Sequence, residues 1–340
     1  MSRKLNVVLA PGSAAHRAVK PPTPRPSGEA GSAGLAPGFR PQPGWNMTPG
    51  RGPTIADLVF VNSYVGEAGA WAEDDRANID RALDAALSDA ALQSVIAQYY
   101  EGPITSTMLP SALHEAPLPG VVYKDTAEAL AVKLYAEGAL GDANPASSVI
   151  NIMLPQGIVL SDDFSPGFKA PAGAEETSER RRKATIKIDP EDAASSQHGL
   201  GGYHGSTHSG GGSQPQGGSH HGGHHRGGAE FYYAVGVYSE GENGIVAFDE
   251  PWKNVVATFY HELNEARTDP DVEDVVATNN EELLGWYSQA GEGEIGDLPI
   301  NACGGDLSLV FKEVALADGS GSVPIQLMWS NQAGGPAAKM

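Results

Sequence analysis

Residues 55–64 read IADLVFVNSY, a β-rich, largely apolar run that predicts an early, mostly buried strand. The period then changes. Ile79, Leu83, Leu87, Leu92, Val95, Ile96 and Tyr99 recur at three- and four-residue steps, which predicts a helix from about 74 to 100. One face of it packs on the sheet and leaves Asp80, Arg81 and Asp84 in water, with Trp71 as a packing anchor ahead of it. The run DTAE at 125–128 is a capping signal for a second helix reaching Gly138, with Leu130 and Leu134 inward. VINIML at 149–154 returns to strand. Strand, helix, helix, strand in that order predicts an α/β (α+β) fold with a mixed sheet and helices on one side of it.

Strands are expected again at 230–238 and 244–248, and a closing hairpin pairs 307–314 with 323–329 across Asp318-Gly319. Between them lies a helix that opens at Pro251, a residue suited to a first turn, and stops at Thr268-Asp269-Pro270. Trp252, Val255, Val256, Phe259 and Leu263 form one apolar stripe, and His261 and Glu265 project from the far side beside Asn254 and Thr258. That far side reads either as the wet face of an amphipathic helix or as the lining of a cleft.

Composition sets the boundaries. Residues 11–53 are rich in Pro, Gly, Ser and Ala, so 1–53 is expected to be a mostly disordered arm. A single domain is expected over 54–332, interrupted by a flexible Gly/His-rich insertion at 197–228, with 333–340 as a tail. The basic run at 179–183 reads as a solvated loop and 185–189 as an edge strand. Forty-two acidic against 22 basic residues give a formal charge of −20, which argues against nucleic acid as a partner and favours cations. No run of 18 apolar residues predicts a membrane span. Cys303 is the only cysteine and reads as a small apolar residue; no intrachain disulfide is possible. No signal-peptide pattern opens the numbering, so a reducing compartment or non-classical export is expected.

The helix at 251–268 carries the chemistry. His261 and Glu265 stand four residues apart on one face, the spacing with which a helix grips a metal, and Glu262 sits where a metal-assisted hydrolase keeps its general base. Zinc in a catalytic site needs three protein ligands and an open position. His204 would complete a two-His, one-carboxylate set; Asp269 or Asp297 would make a more acidic one that also suits calcium or manganese. Glu294 and Asp297 form a nearby acidic corner. Seven of the ten histidines fall in the 197–228 tract, where clusters such as 220–221 and 224–225 capture divalent metal without a fixed geometry. These features predict a zinc-dependent, peptidase-like hydrolase. The alternatives are a non-catalytic binding or surface module, and a calcium-stabilised structural domain.

The segments HELNEARTDP (261–270), GWY (285–287) and EIGDL (294–298) resemble the pattern HELxEAxTDP…xWY…EIGDxC of extracellular fungal and bacterial proteins, remotely similar to plant EXORDIUM-like phosphate-induced proteins. GYHG at 202–205, the strand from Phe231 and the run at 325–331 resemble further segments of that group. The resemblance implies a zincin-like domain and an extracellular or cell-wall setting; the partner expected from the hydrolase and binding-module readings is a peptide or protein substrate, or a cell-surface partner. It places His261, Glu262, Glu265, Asp269, Asp297 and His204 on the family's motif positions. The chain departs from the pattern at Gly201 and Pro299, where the family commonly has cysteines.

Overall fold

The computed structural model describes residues 7–9, 34–166, 168, 195–208, 229–278 and 280–340. In chain order, strand β1 is Val7–Leu9, β2 Asp57–Gly66, helix α1 Glu73–Ser88, α2 Ala90–Ala97, β3 Thr105–Glu115, α3 Lys124–Ala136 and β4 Ser148–Leu154. Then come β5 Leu200–His208, β6 Glu230–Val237, α4 Pro251–Thr268, α5 Val272–Thr278, α6 Asp297–Ala302, β7 Phe311–Ala315, β8 Ser322–Gln326, β9 Met328–Ser330 and β10 Gly335–Ala337. The fold is α/β. Its main sheet has the order β1-β5-β6-β4-β2-β3 and is mixed: β3, β2, β4 and β6 run parallel, and β5 lies antiparallel between β6 and β1.

Strand alternation divides the interior in two. Val149 and Met153 of β4 enter the larger core with α1, α2 and α4, while Ile150, Ile152 and Leu154 enter a second core with Ala127, Ala131 and Leu134 of α3. Helices therefore cover both faces of the sheet, not one. The parallel strands require this, since each face of such a sheet is apolar and must be buried.

Several expectations are corrected. The long helix at 74–100 is two, because the Asp89 carboxylate accepts from the Ala91 and Leu92 N–H groups and starts α2 afresh. Asp80 is half-buried and not free in water; it accepts from Asn62, Tyr64 and Ser111 in a polar cluster on the sheet. Asp125 does not act in a capping box but binds the Ser165 amide and hydroxyl. Residues 244–248 form no strand. Residues 34–53 belong to the domain: Leu35, Phe39 and Met47 are buried in the larger core, and Gln42 N–H donates to the Gly334 carbonyl. The expected tail contains β10, which pairs with β9 and is buried. Widely spaced apolar anchors, diluted by Pro and Gly, hid both segments. The hairpin of β7 and β8 is as expected. The basic run at 179–183, the edge strand at 185–189 and the histidine clusters at 220–225 lie outside the described residues.

Candidate metal centre

α4 positions the centre. Pro251 occupies its first turn, and Asn254 ties down the preceding loop by accepting from Ala247 and Phe248 N–H and donating to the Ser239 and Phe248 carbonyls. At the other end Thr268 Oγ1 donates back to the Asn264 and Glu265 carbonyls before Asp269-Pro270 ends the helix. Val255, Val256, Phe259 and Leu263 pack into the larger core as expected. The opposite side is not a wet face: every residue from Asn254 to Thr268 is buried.

Three elements close over that side. β5 brings His204, and Gly202 beside it permits the approach: a Cβ there would stand 2.6 Å from the Val235 carbonyl oxygen and 3.3 Å from Glu262 Oε1. The turn into α6 brings Glu294 and Asp297, with Gly296 pressed against the His261 ring. β8 brings Gln326. His204, His261, Glu262, Glu265, Asp269, Glu294, Asp297 and Gln326 are all fully buried.

The hydrogen bonds fix the imidazole tautomers. Gln326 Nε2 donates to the Gly296 carbonyl at 2.6 Å, so its Oε1 faces His261 Nδ1 at 2.9 Å as an acceptor. His261 therefore carries a proton on Nδ1 and turns Nε2 to Glu265 Oε2, 3.0 Å away. The other Glu265 oxygen, Oε1, accepts from the Gly296 and Asp297 N–H groups at 3.1 and 3.0 Å, which locks the carboxylate in place. His204 Nε2 lies 3.2 Å from the Asp269 carbonyl oxygen, an acceptor only, so its lone pair is on Nδ1. That atom faces Glu262 Oε2 at 3.2 Å and Glu265 Oε2 at 3.8 Å.

Two sets of ligand atoms result, His261–Glu265–Asp297 and His204–Glu262–Glu265, and within each the atoms lie within 4.8 Å of one another. Glu265 belongs to both. His204 thus stands with Glu262 and not, as one expectation had it, as the third member beside His261. Asp269 falls outside both sets; its carboxylate accepts from Gly285 N–H at 2.8 Å, and its carbonyl orients His204.

Charge is the unresolved quantity of this interior. Burial, and then the Glu265, Asp269 and Asp297 charges, push the Glu294 carboxyl well above the usual carboxylate range. Asp269 is raised too, by burial first and then by Asp271 and Glu265, against the lowering effect of the Gly285 N–H. The histidines move oppositely. Burial lowers both, and prevails at His204 over Glu265. At His261 the adjacent Glu265, its hydrogen bond, and Asp297 reverse the effect of burial and raise it. The nearby guanidinium of Arg267 is turned away, to Gln93 and to Thr105 and Ser106. Lys124 is engaged on the other side of the sheet by Glu273 at 2.5 Å and Asp162 at 3.5 Å.

Gln326 and the orienting roles of the Asp269 carbonyl and Gly296 were not anticipated. A lone Gln inside the apolar run 323–329 was the available signal for the first. Comparison with protein-family models, with characterised proteins and with solved structures finds no match to the chain.

Proposed function

We propose that the protein is a zinc-dependent, peptidase-like hydrolase whose ion is held by His261, Glu265 and Asp297. The observation that carries this reading is His261 Nε2 facing Glu265 Oε2 at 3.0 Å with Asp297 in the same set. Two acceptors so close repel unless a proton or a cation lies between them. One imidazole and two carboxylates suit zinc and leave a position open; the oxygen-rich set also admits calcium or manganese. The ion would polarise a carbonyl and lower the pKa of a water molecule. Glu262, next to His261 on the helix, is the base of this reading. Gln326 and the two backbone N–H groups on Glu265 hold the ligands in orientation. The zincin-like kinship suggested by HELNEARTDP supports the same reading, with a peptide or protein as substrate.

Complete burial of the ligand atoms favours a second reading, in which the ion staples α4 to α6 in a non-catalytic module. Metal analysis followed by Glu262→Gln separates the two. The hydrolase reading expects peptide cleavage that is abolished in Glu262→Gln while the zinc content and melting temperature persist. Zinc-loaded protein without cleavage of any member of a diverse peptide library would refute it and leave the stapling role.

A further inference from the structure

We propose that the centre has a second divalent-cation position, formed by His204 Nδ1, Glu262 and Glu265, so that Glu265 bridges a pair of ions. The inference rests on the first ion of the reading above and adds to it. The second set shares one residue with the first and is otherwise independent: its imidazole comes from β5 and its other carboxylate from a different position of α4. His204 is oriented for ligation by the Asp269 carbonyl, which holds Nε2–H and leaves the Nδ1 lone pair aimed between Glu262 Oε2 and Glu265 Oε2. The geometry is that of a metal-ligating histidine with its orienting acceptor in place.

A separate observation bears on the buried cluster as a whole. Glu294 is fully buried and neither of its oxygens has a hydrogen-bond partner, and its Oε1 lies 3.8 Å from the Nε2 side of the His204 ring. Buried polar groups are almost always satisfied, and a buried carboxyl left without a partner is costly. The pocket gathers five carboxylates, Glu262, Glu265, Asp269, Glu294 and Asp297, around two imidazoles. Neither nearby cationic side chain serves this pocket, since Arg267 and Lys124 are directed elsewhere. A carboxylate acting as a ligand is not available as a base, so the two-ion state is a resting form in which Glu262 is occupied.

The test uses the full chain with His220, His221, His224 and His225 replaced by Asn, which removes the paired histidines of the tract. After chelation the protein is titrated with zinc alone, and bound metal is counted by mass spectrometry. Two equivalents are expected, falling to one in His204→Asn. One equivalent in the parent, unchanged in His204→Asn and lost in His261→Asn, would overturn the second position and leave the first standing; no bound zinc would overturn both. A second measurement needs no substitution at the centre. Loaded with manganese(II), the parent should give the exchange-coupled electron paramagnetic resonance spectrum of a bridged pair. An isolated six-line spectrum at saturation would overturn the inference.

Discussion

Replacing Gly296 by alanine probes the contact that presses the turn before α6 onto the imidazole. Gly296 has φ −88°, which alanine adopts freely, so any penalty comes from space and not from backbone strain. The added Cβ would stand 2.5 Å from His261 Nδ1, 2.7 Å from Cε1 and 2.8 Å from Cγ. Ordinary contact is at about 3.5–4.0 Å, so the ring or the turn must move by roughly 1 Å. The ring has little room, because it is buried on a fully buried helix and tied to Gln326. Overpacking of this kind costs about 1–3 kcal/mol. At about 2–4 °C per kcal/mol for a domain of this size, the melting temperature should fall by roughly 2–12 °C, with or without zinc. Displacing the turn also withdraws the Gly296 and Asp297 N–H groups from Glu265, so zinc affinity should weaken by about 10–100-fold. Gly102 is the control: nothing lies within 4 Å of a Cβ there, and Gly102→Ala should change stability by less than about 0.5 kcal/mol. Thermal unfolding by circular dichroism and competition against a chromophoric chelator read both effects. A Gly296→Ala protein that melts and binds zinc like the parent would refute the geometry assigned to the centre.

Further outcomes follow from single residues. Gln326→Leu removes the acceptor that holds His261 Nδ1–H, and zinc affinity should drop by about 10–100-fold; an unchanged competition curve would show that the tautomer is not set there. Burial, with the Glu230 and Asp274 charges, raises Asp271 to about 7, above its value in the unfolded chain. The folded state therefore holds this proton more tightly, and stability is lost as pH rises from about 4 through 7. Asp271→Asn should raise the melting temperature at pH 8 relative to the parent and flatten its decline between pH 5 and 8; an unaltered profile would contradict the shift. Cys303 is buried, donates to the Ile300 carbonyl, and has its thiol pushed up to about 11, chiefly by burial. Ellman's reagent at pH 8 should react with it only after unfolding in urea, and rapid reaction in the native protein would be inconsistent with that packing.

The sequence makes some of this architecture legible and conceals the rest for physical reasons. β2 and the β7–β8 hairpin are marked by local β-rich runs and a turn, which short-range pattern reports directly. β3 escapes notice because Ser and Thr dilute it and Pro110 interrupts it. It is an edge strand, and its register shifts between Leu109 and Ala112, where a proline is tolerated. The placement of α3 opposite α1 and α4 depends on which strands pair, and no local period encodes that. The same limit explains α4. Polar positions mark the side away from the apolar stripe, but buried polar residues and wet ones write the same pattern, so a closed site and a solvent face look alike. His261, Glu262 and Glu265 stand together in the sequence and are readily singled out. Their partners His204, Glu294, Asp297 and Gln326 arrive from elements far apart along the chain, and only the fold brings them to one place.

The divalent ion proposed between His261, Glu265 and Asp297 is open to anomalous scattering. Crystals of the full chain grown with zinc and measured at the zinc absorption edge test it most directly. The expected result is an anomalous difference peak about 2.0–2.2 Å from His261 Nε2 and from an oxygen of each carboxylate, the distances zinc keeps from such ligands. Crystals that bind zinc elsewhere, with no peak in this pocket and the His261–Glu265 contact still at its 3.0 Å separation, would contradict the claim.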